Sequence, residues 1–144
     1  LAAVAIPKLA ATRDDAEISK IVSNIAAAQG EIASSALAQG TPPLGATDAN
    51  MTEVSNVYRT GKNAGNISYT TTATDINNSA ILGTNAVGLR FHDNTDANIT
   101  CVTLELNETV MFIVNNTGAS VRCNGVREQM AEGNVSLAGQ RVRY

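Results

Sequence analysis

Aromatic side chains are scarce in this chain: they make up 3% of its 144 residues, and there is no Trp. Platforms on which bases or sugar rings stack are thereby largely excluded. There is one histidine, His92, so neither a two-histidine metal site nor an H-E-x-x-H arrangement can form within one chain. No Gly-rich phosphate loop with a lysine occurs, and no G-x-S-x-G nucleophile elbow. An excess of positive charge is also missing. The net charge is -3 and the pI about 5.0, which gives no basic field to gather nucleic acid. Arg122, Arg127, Arg141 and Arg143 cluster late in the chain and read as solvated surface arginines. His92, at the end of an expected strand, reads as a surface residue. No catalytic or cofactor-binding residues are expected.

Long apolar runs are absent too. A bilayer crossing takes about 20 apolar residues, and the opening Leu1-Ala-Ala-Val-Ala-Ile6 is far shorter. With no initiating Met and no basic residues ahead of it, this opening reads as the end of a longer apolar segment removed upstream. As it stands, the chain is expected to be soluble.

Hydrophobic residues make up 44% of the chain and charged residues 16%, enough apolar surface for one domain around one core. Cys101 and Cys123 are an even pair in a chain that otherwise looks exported, which favours one disulfide over two buried thiols.

Residues 1–39 read as one long helix. Ile18, Ile21, Val22, Ile25, Ile32 and Ala36 recur at helical spacing and form one apolar stripe. Arg13, Asp14, Glu17, Lys20 and Glu31 are assigned to the opposite face, with Glu17 and Lys20 three apart as a supporting pair. Pro7 should kink the helix or free a backbone carbonyl. Gly40, then Pro42 and Pro43, supply the stop. At 1.5 Å per residue such a helix is about 58 Å long, more than a small domain needs for its own core.

Residues 40–85, rich in Gly, Thr, Asn and Ala, read as a connecting region, with a short helix or strand near Glu53–Arg59 and Ile67–Thr72. From residue 86 to 144 the pattern is that of strands. Val87, Leu89 and Phe91 alternate with Gly88, Arg90 and His92; Val102, Leu104 and Leu106 form one face of the next run. Asn107-Glu108 is a hairpin turn leading into Thr109–Val114, and residues 115–118 are the next turn. Val135–Leu137 and Arg141–Tyr144 are expected as short final strands. The sum is an α+β layout in a single domain, a long N-terminal helix packed on a C-terminal antiparallel sheet.

The first seventeen residues, LAAVAIPKLAATRDDAE, resemble the second half of the N-terminal helix of type IV pilins and type II secretion pseudopilins. Leu1-Ala-Ala-Val-Ala-Ile-Pro7 carries most of the likeness, because the proline stands where the family's membrane half meets its soluble half. The likeness covers about the first quarter of the chain and continues as architecture. It implies a subunit anchored in the inner membrane by the missing N-terminal segment, cut by a prepilin peptidase, and assembled on an inner-membrane platform into a homo-oligomeric filament with minor pilins. The filament would be periplasmic or at the cell surface, serving adhesion, motility or DNA uptake, and would meet nucleic acid only indirectly. A pseudopilin of a secretion or competence system is the alternative within the family. A tip-located binding module is the alternative outside it.

Two polar patterns remain. Asp93-Asn-Thr-Asp96-Ala-Asn98 is oxygen-rich, and major pseudopilins hold calcium in a comparable region. The spacing lacks the glycine and terminal glutamate of an EF-hand loop, so it reads as a polar turn, with Asp93 and Asp96 as the calcium alternative. Asn66, Asn77, Asn98, Asn107, Asn115 and Asn134 each open an N-x-[ST] triplet. Asp75, Asp96, Glu105 and Glu132 stand two places before Asn77, Asn98, Asn107 and Asn134, which resembles the extended acceptor site of a bacterial N-glycosylation pathway. Asn107, at a hairpin tip, is expected to be the most accessible of them.

Overall fold

The computed structural model describes residues 2–118, 120–130 and 132–137, with side chains from residue 13 onward. Helix α1 runs from Ala2 to Gln39 and continues through Pro7. Alanine and the unbranched polar residues favour it, and it stops where Gly40 takes a left-handed φ of 79° that other residues resist. The side chain of Pro7 lies outside the described residues. Ile18, Ile21, Ile25, Ala28, Ile32 and Ala36 are buried and Val22 packs half-buried beside them, as the stripe predicts.

The region read as a connection is more structured than its composition implies. It holds α2 (Ala49–Val54), α3 (Asn56–Ala64), strand β1 (Ile67–Thr70), a 3-10 turn at Ala73–Asp75 and the one-turn α4 (Ser79–Leu82). Strands β2 (Val87–Asp93), β3 (Asp96–Leu106) and β4 (Val110–Asn115) follow, then α5 (Val121–Gln129) and β5 (Gly133–Ser136). The five strands form one antiparallel sheet in sequence order. The sheet therefore begins at Ile67, ahead of the expected boundary at residue 86. Residues Arg141–Tyr144, expected as a last strand, lie outside the described residues.

Period two sorts the sheet into two faces. Leu89, Phe91, Val102, Leu104 and Leu106 join the α1 stripe in the main core. On the other face, Ile76, Leu82 and Ala86 pack with Val110 and Phe112 in a smaller cluster. Beside that cluster Glu105, 1% exposed, accepts from the backbone N–H groups of Asn77 and Asn78 at 2.6 and 2.9 Å and from the Asn78 amide at 2.8 Å. A buried carboxylate with three donors is satisfied, and it fixes residues 77–78 over the sheet.

Helix α5 stands within the stretch that the sequence reads as strand pattern. Ser120 caps it by accepting from the Cys123 N–H at 2.9 Å. Cys101 and Cys123 form a disulfide, both fully buried. The β2–β3 register passes from Phe91–Val102 to His92–Thr100, so Cys101 is the extra residue of a bulge, which turns it toward α5. Gly125 lets α5 sit directly on α1: a Cβ there would lie 2.3 Å from Ile18 Cδ1.

Candidate functional site

The polar side chains of α1 flank the stripe closely enough to reach the domain, and three of the five assigned to the far face turn inward. Glu31 accepts from the Ser55 hydroxyl at 3.0 Å and from the N–H groups of Asn56 and Val57 at 2.9 and 3.2 Å. Ser55, itself buried, accepts from the Tyr58 N–H at 3.0 Å. A carboxylate and a hydroxyl thus close the first turn of α3, whose orphan donors and positive dipole end favour an anion. Glu17 accepts from the Asn94 amide at 2.7 Å, so its partner is Asn94 and not Lys20.

Asp14 belongs to the strongest electrostatic feature of the molecule. Arg122, on α5, donates from Nε to Asp93 Oδ1 at 2.8 Å and from Nη1 to Asp14 Oδ1 at 2.9 Å, and it also donates to the Thr95 hydroxyl. One guanidinium therefore joins α1, the β2–β3 turn and α5. Burial pushes the Asp93 carboxyl up, but donors from Arg122 and Thr95 outweigh it and hold it at about 2. Asp93 is 1% exposed, and its Oδ2 has no hydrogen-bond partner among the described residues.

This geometry corrects the reading of Arg122 and Arg127 as solvated surface arginines. Asp93 is the buried half of an ion pair with Arg122. Asp96 is exposed and accepts from the Asn98 N–H at 3.0 Å, an Asx turn. Among the described residues no three His, Cys, Asp or Glu side chains are grouped to hold a metal ion. Arg122 is not a freely solvated arginine. Neither is Arg127, which donates to the carbonyls of Asn116 and Gly118, both at 2.6 Å, and holds that loop. Arg141 and Arg143 lie outside the described residues.

His92 is buried, not at the surface. Its Nε2 meets the Ser68 hydroxyl at 2.8 Å and its Nδ1 the Thr100 hydroxyl at 3.1 Å. Burial first, and the Arg90 charge second, lower its pKa from the ordinary 6.5, so the ring is neutral. The Ser68–His92 contact has a hydroxyl, not a carboxylate, behind the imidazole. A neutral histidine satisfied by two hydroxyls is a packing solution, and it lacks the orienting acid of a nucleophilic triad.

The glycosylation candidates separate clearly. Asn77, Asn98 and Asn134 are exposed. Asn107 is half-buried and fully used: its amide donates to the Leu82 carbonyl at 3.2 Å, and its Oδ1 accepts from Thr109 N–H, the Thr109 hydroxyl and Val110 N–H. It makes the expected hairpin turn and is the least accessible candidate of the four. A further triplet of the same form, Asp48-Ala-Asn50-Met-Thr52, was legible in the sequence from its spacing alone.

The remaining feature is the outer side of α1. From Ser23 to Gln39 its exposed residues are Ser23, Ala26, Ala27, Gly30, Ser34, Leu37, Ala38 and Gln39, with no charge among them. Leu37 is 73% exposed, and a Cβ built on Gly30 meets nothing within 4 Å. No helix among the described residues is long and apolar enough to cross a membrane. Comparison with family models, curated proteins and solved structures finds no match to this chain.

Proposed function

We propose that the protein is a structural subunit of a type IV pilin-like filament, in which α1 packs in the filament core and the sheet faces outward. The observation that carries this reading is the size of α1 against the domain it serves. Its 38 residues extend about 57 Å. A compact chain of 144 residues is only about 37 Å across. A helix that outruns its own domain needs other molecules to cover it. The charge-free outer side from Ser23 to Gln39 supports the reading, since small neutral residues let a second helix approach to roughly 8 Å.

In this reading the subunit does no chemistry. Its partners are copies of itself and related minor subunits, with an apolar stretch continuous with α1 holding it in the inner membrane before assembly. The same packing builds either a long surface fibre or a short periplasmic one for secretion or competence. The disulfide that locks α5 to the sheet suits the exposed fibre.

Both native cysteines are buried and bonded, so a cysteine placed at exposed Ala27 is the single reactive thiol. A short bis-maleimide added to native cells carrying Ala27→Cys should give cross-linked dimers, the largest product that one thiol per subunit allows, with filaments seen by electron microscopy. Monomer alone, under conditions where the thiol is fully labelled, would overturn the proposal.

A further inference from the structure

Five segments of this chain read acid, any residue, Asn, any residue, Ser or Thr, around Asn50, Asn77, Asn98, Asn107 and Asn134. Acids are 13 of the 144 residues, so with seven N-x-[ST] triplets chance would place an acid two residues earlier in fewer than one. In an extended chain, residues two apart point to the same side. The pattern therefore sets a carboxylate, a carboxamide and a hydroxyl in one row, which an enzyme reads only where all three are exposed and the backbone is extended.

The fold withdraws four of the five. Around Asn50 the chain is helical; Asp48 pairs with Lys62 and the Tyr58 hydroxyl, and Thr52 donates to the Ala49 carbonyl. Around Asn77, Asp75 lies in the 3-10 turn and accepts from Thr70, and Ser79 opens α4. At Asn98 the hydroxyl is missing from the row, because Thr100 is buried against His92. At Asn107 the amide is engaged and Glu105 is 1% exposed.

Asn134 is different. It lies in β5, the outermost strand on its side of the sheet among the described residues, and Glu132, Asn134 and Ser136 are all exposed. Asn134 pairs with Phe112 and Ser136 with Val110, on the sheet face turned away from α1. Glu132 accepts from Asn115 N–H through Oε1 at 3.1 Å and remains exposed on the same edge as Asn134. Glu132 and Asn134 open on a shallow groove floored by Phe112 and Val114, where the apolar face of a sugar ring can pack.

We infer that Asn134 is an N-linked glycan acceptor, recognised through Glu132 and Ser136. The donor is an oligosaccharide joined through diphosphate to a polyprenol lipid. Asn134 Nδ2 bonds to the anomeric carbon, the bond from that carbon to the diphosphate oxygen breaks, and the diphosphate leaves with the electron pair. The amide proton passes to a base of the transferase, and nothing is oxidised or reduced. A glycan at Asn134 also shields the edge of β5 from pairing with another sheet.

The test is the intact mass of the full chain purified from its native organism, with peptide mapping of the wild type, and neither depends on the filament reading. Wild type should exceed its polypeptide mass by a glycan that maps to the peptide holding Asn134. Asn134→Gln and Ser136→Ala should lose that increment, Glu132→Gln should lower its occupancy at least several-fold, and Asn107→Gln should keep it. A bare wild-type mass, a glycan that maps elsewhere, or full occupancy in Glu132→Gln would overturn the inference.

Discussion

At the scale of single residues, two buried titratable groups set how the domain meets acid. His92, the chain's one histidine, is neutral when folded because burial, helped by Arg90, keeps its pKa below the ordinary 6.5. The unfolded chain binds a proton that the folded chain resists, so this contribution is present above about pH 6.5 and is lost as the pH falls below it. Asp93 acts lower. Its folded value is about 2 against an ordinary 3.8, so its contribution is present above 3.8 and lost as the pH falls toward 2. A shift of that size is worth at most about 2 kcal/mol. Urea unfolding followed against pH should show both declines in the wild type, and only the lower one in His92→Gln. Arg122→Met should cost about 3 kcal/mol at neutral pH, because it strands a buried carboxylate. It should also remove the lower decline, since burial alone raises the Asp93 pKa. A His92→Gln profile that still bends near pH 6.5 would sink the assignment.

None of this was legible in the sequence. Asp14 and Arg122 are 108 positions apart, and only the docking of α5 on α1 brings them together. His92 sits at a strand end, where alternation predicts exposure; the bulge at Cys101 and the Ser68 hydroxyl on β1 enclose it instead.

At the scale of elements, legibility followed the length of the periodic signal. The α1 stripe spans many turns, β2 and β3 alternate and β4 is a short apolar run after a turn, so helix, sheet and hairpin were readable. Among the short elements α4 and α5 were not. Helix α5 is polar, carries Gly125 and buries only Cys123 and Val126, so its own propensity is poor. Its stability comes from contacts, and the disulfide is the strongest of them. Replacing Cys101 and Cys123 by Ala reopens a loop spanning 22 positions and should cost about 3 kcal/mol. Hydrogen exchange should then rise first in α5 and the loop that Arg127 holds, with β2 and β3 still protected. A uniform rise over the whole sheet would mean that α5 is not a separable unit.

At the scale of the whole molecule, stability and the proposed assembly would make opposite demands on one face of α1. A glycine inside a helix costs about 1 kcal/mol relative to alanine, and leucine is nearly as good a helix former. Gly30 is exposed, and an added Cβ meets nothing within 4 Å, so the isolated domain gains nothing from the missing side chain. Gly30→Leu should therefore stabilise the isolated domain by about 0.5–1 kcal/mol, read as an upward shift of a few degrees in Tm. In the proposed filament the same position would face a neighbouring helix at close range, and the leucine would hold the two apart. The variant should fold better and assemble worse: the cross-linked dimer from a cysteine at Ala27 should fall to monomer in Gly30→Leu, while Gly30→Ser retains it. An unchanged dimer yield in a stabilised Gly30→Leu domain would place the subunit contact on some other surface, because a leucine cannot be accommodated between helices packed that closely.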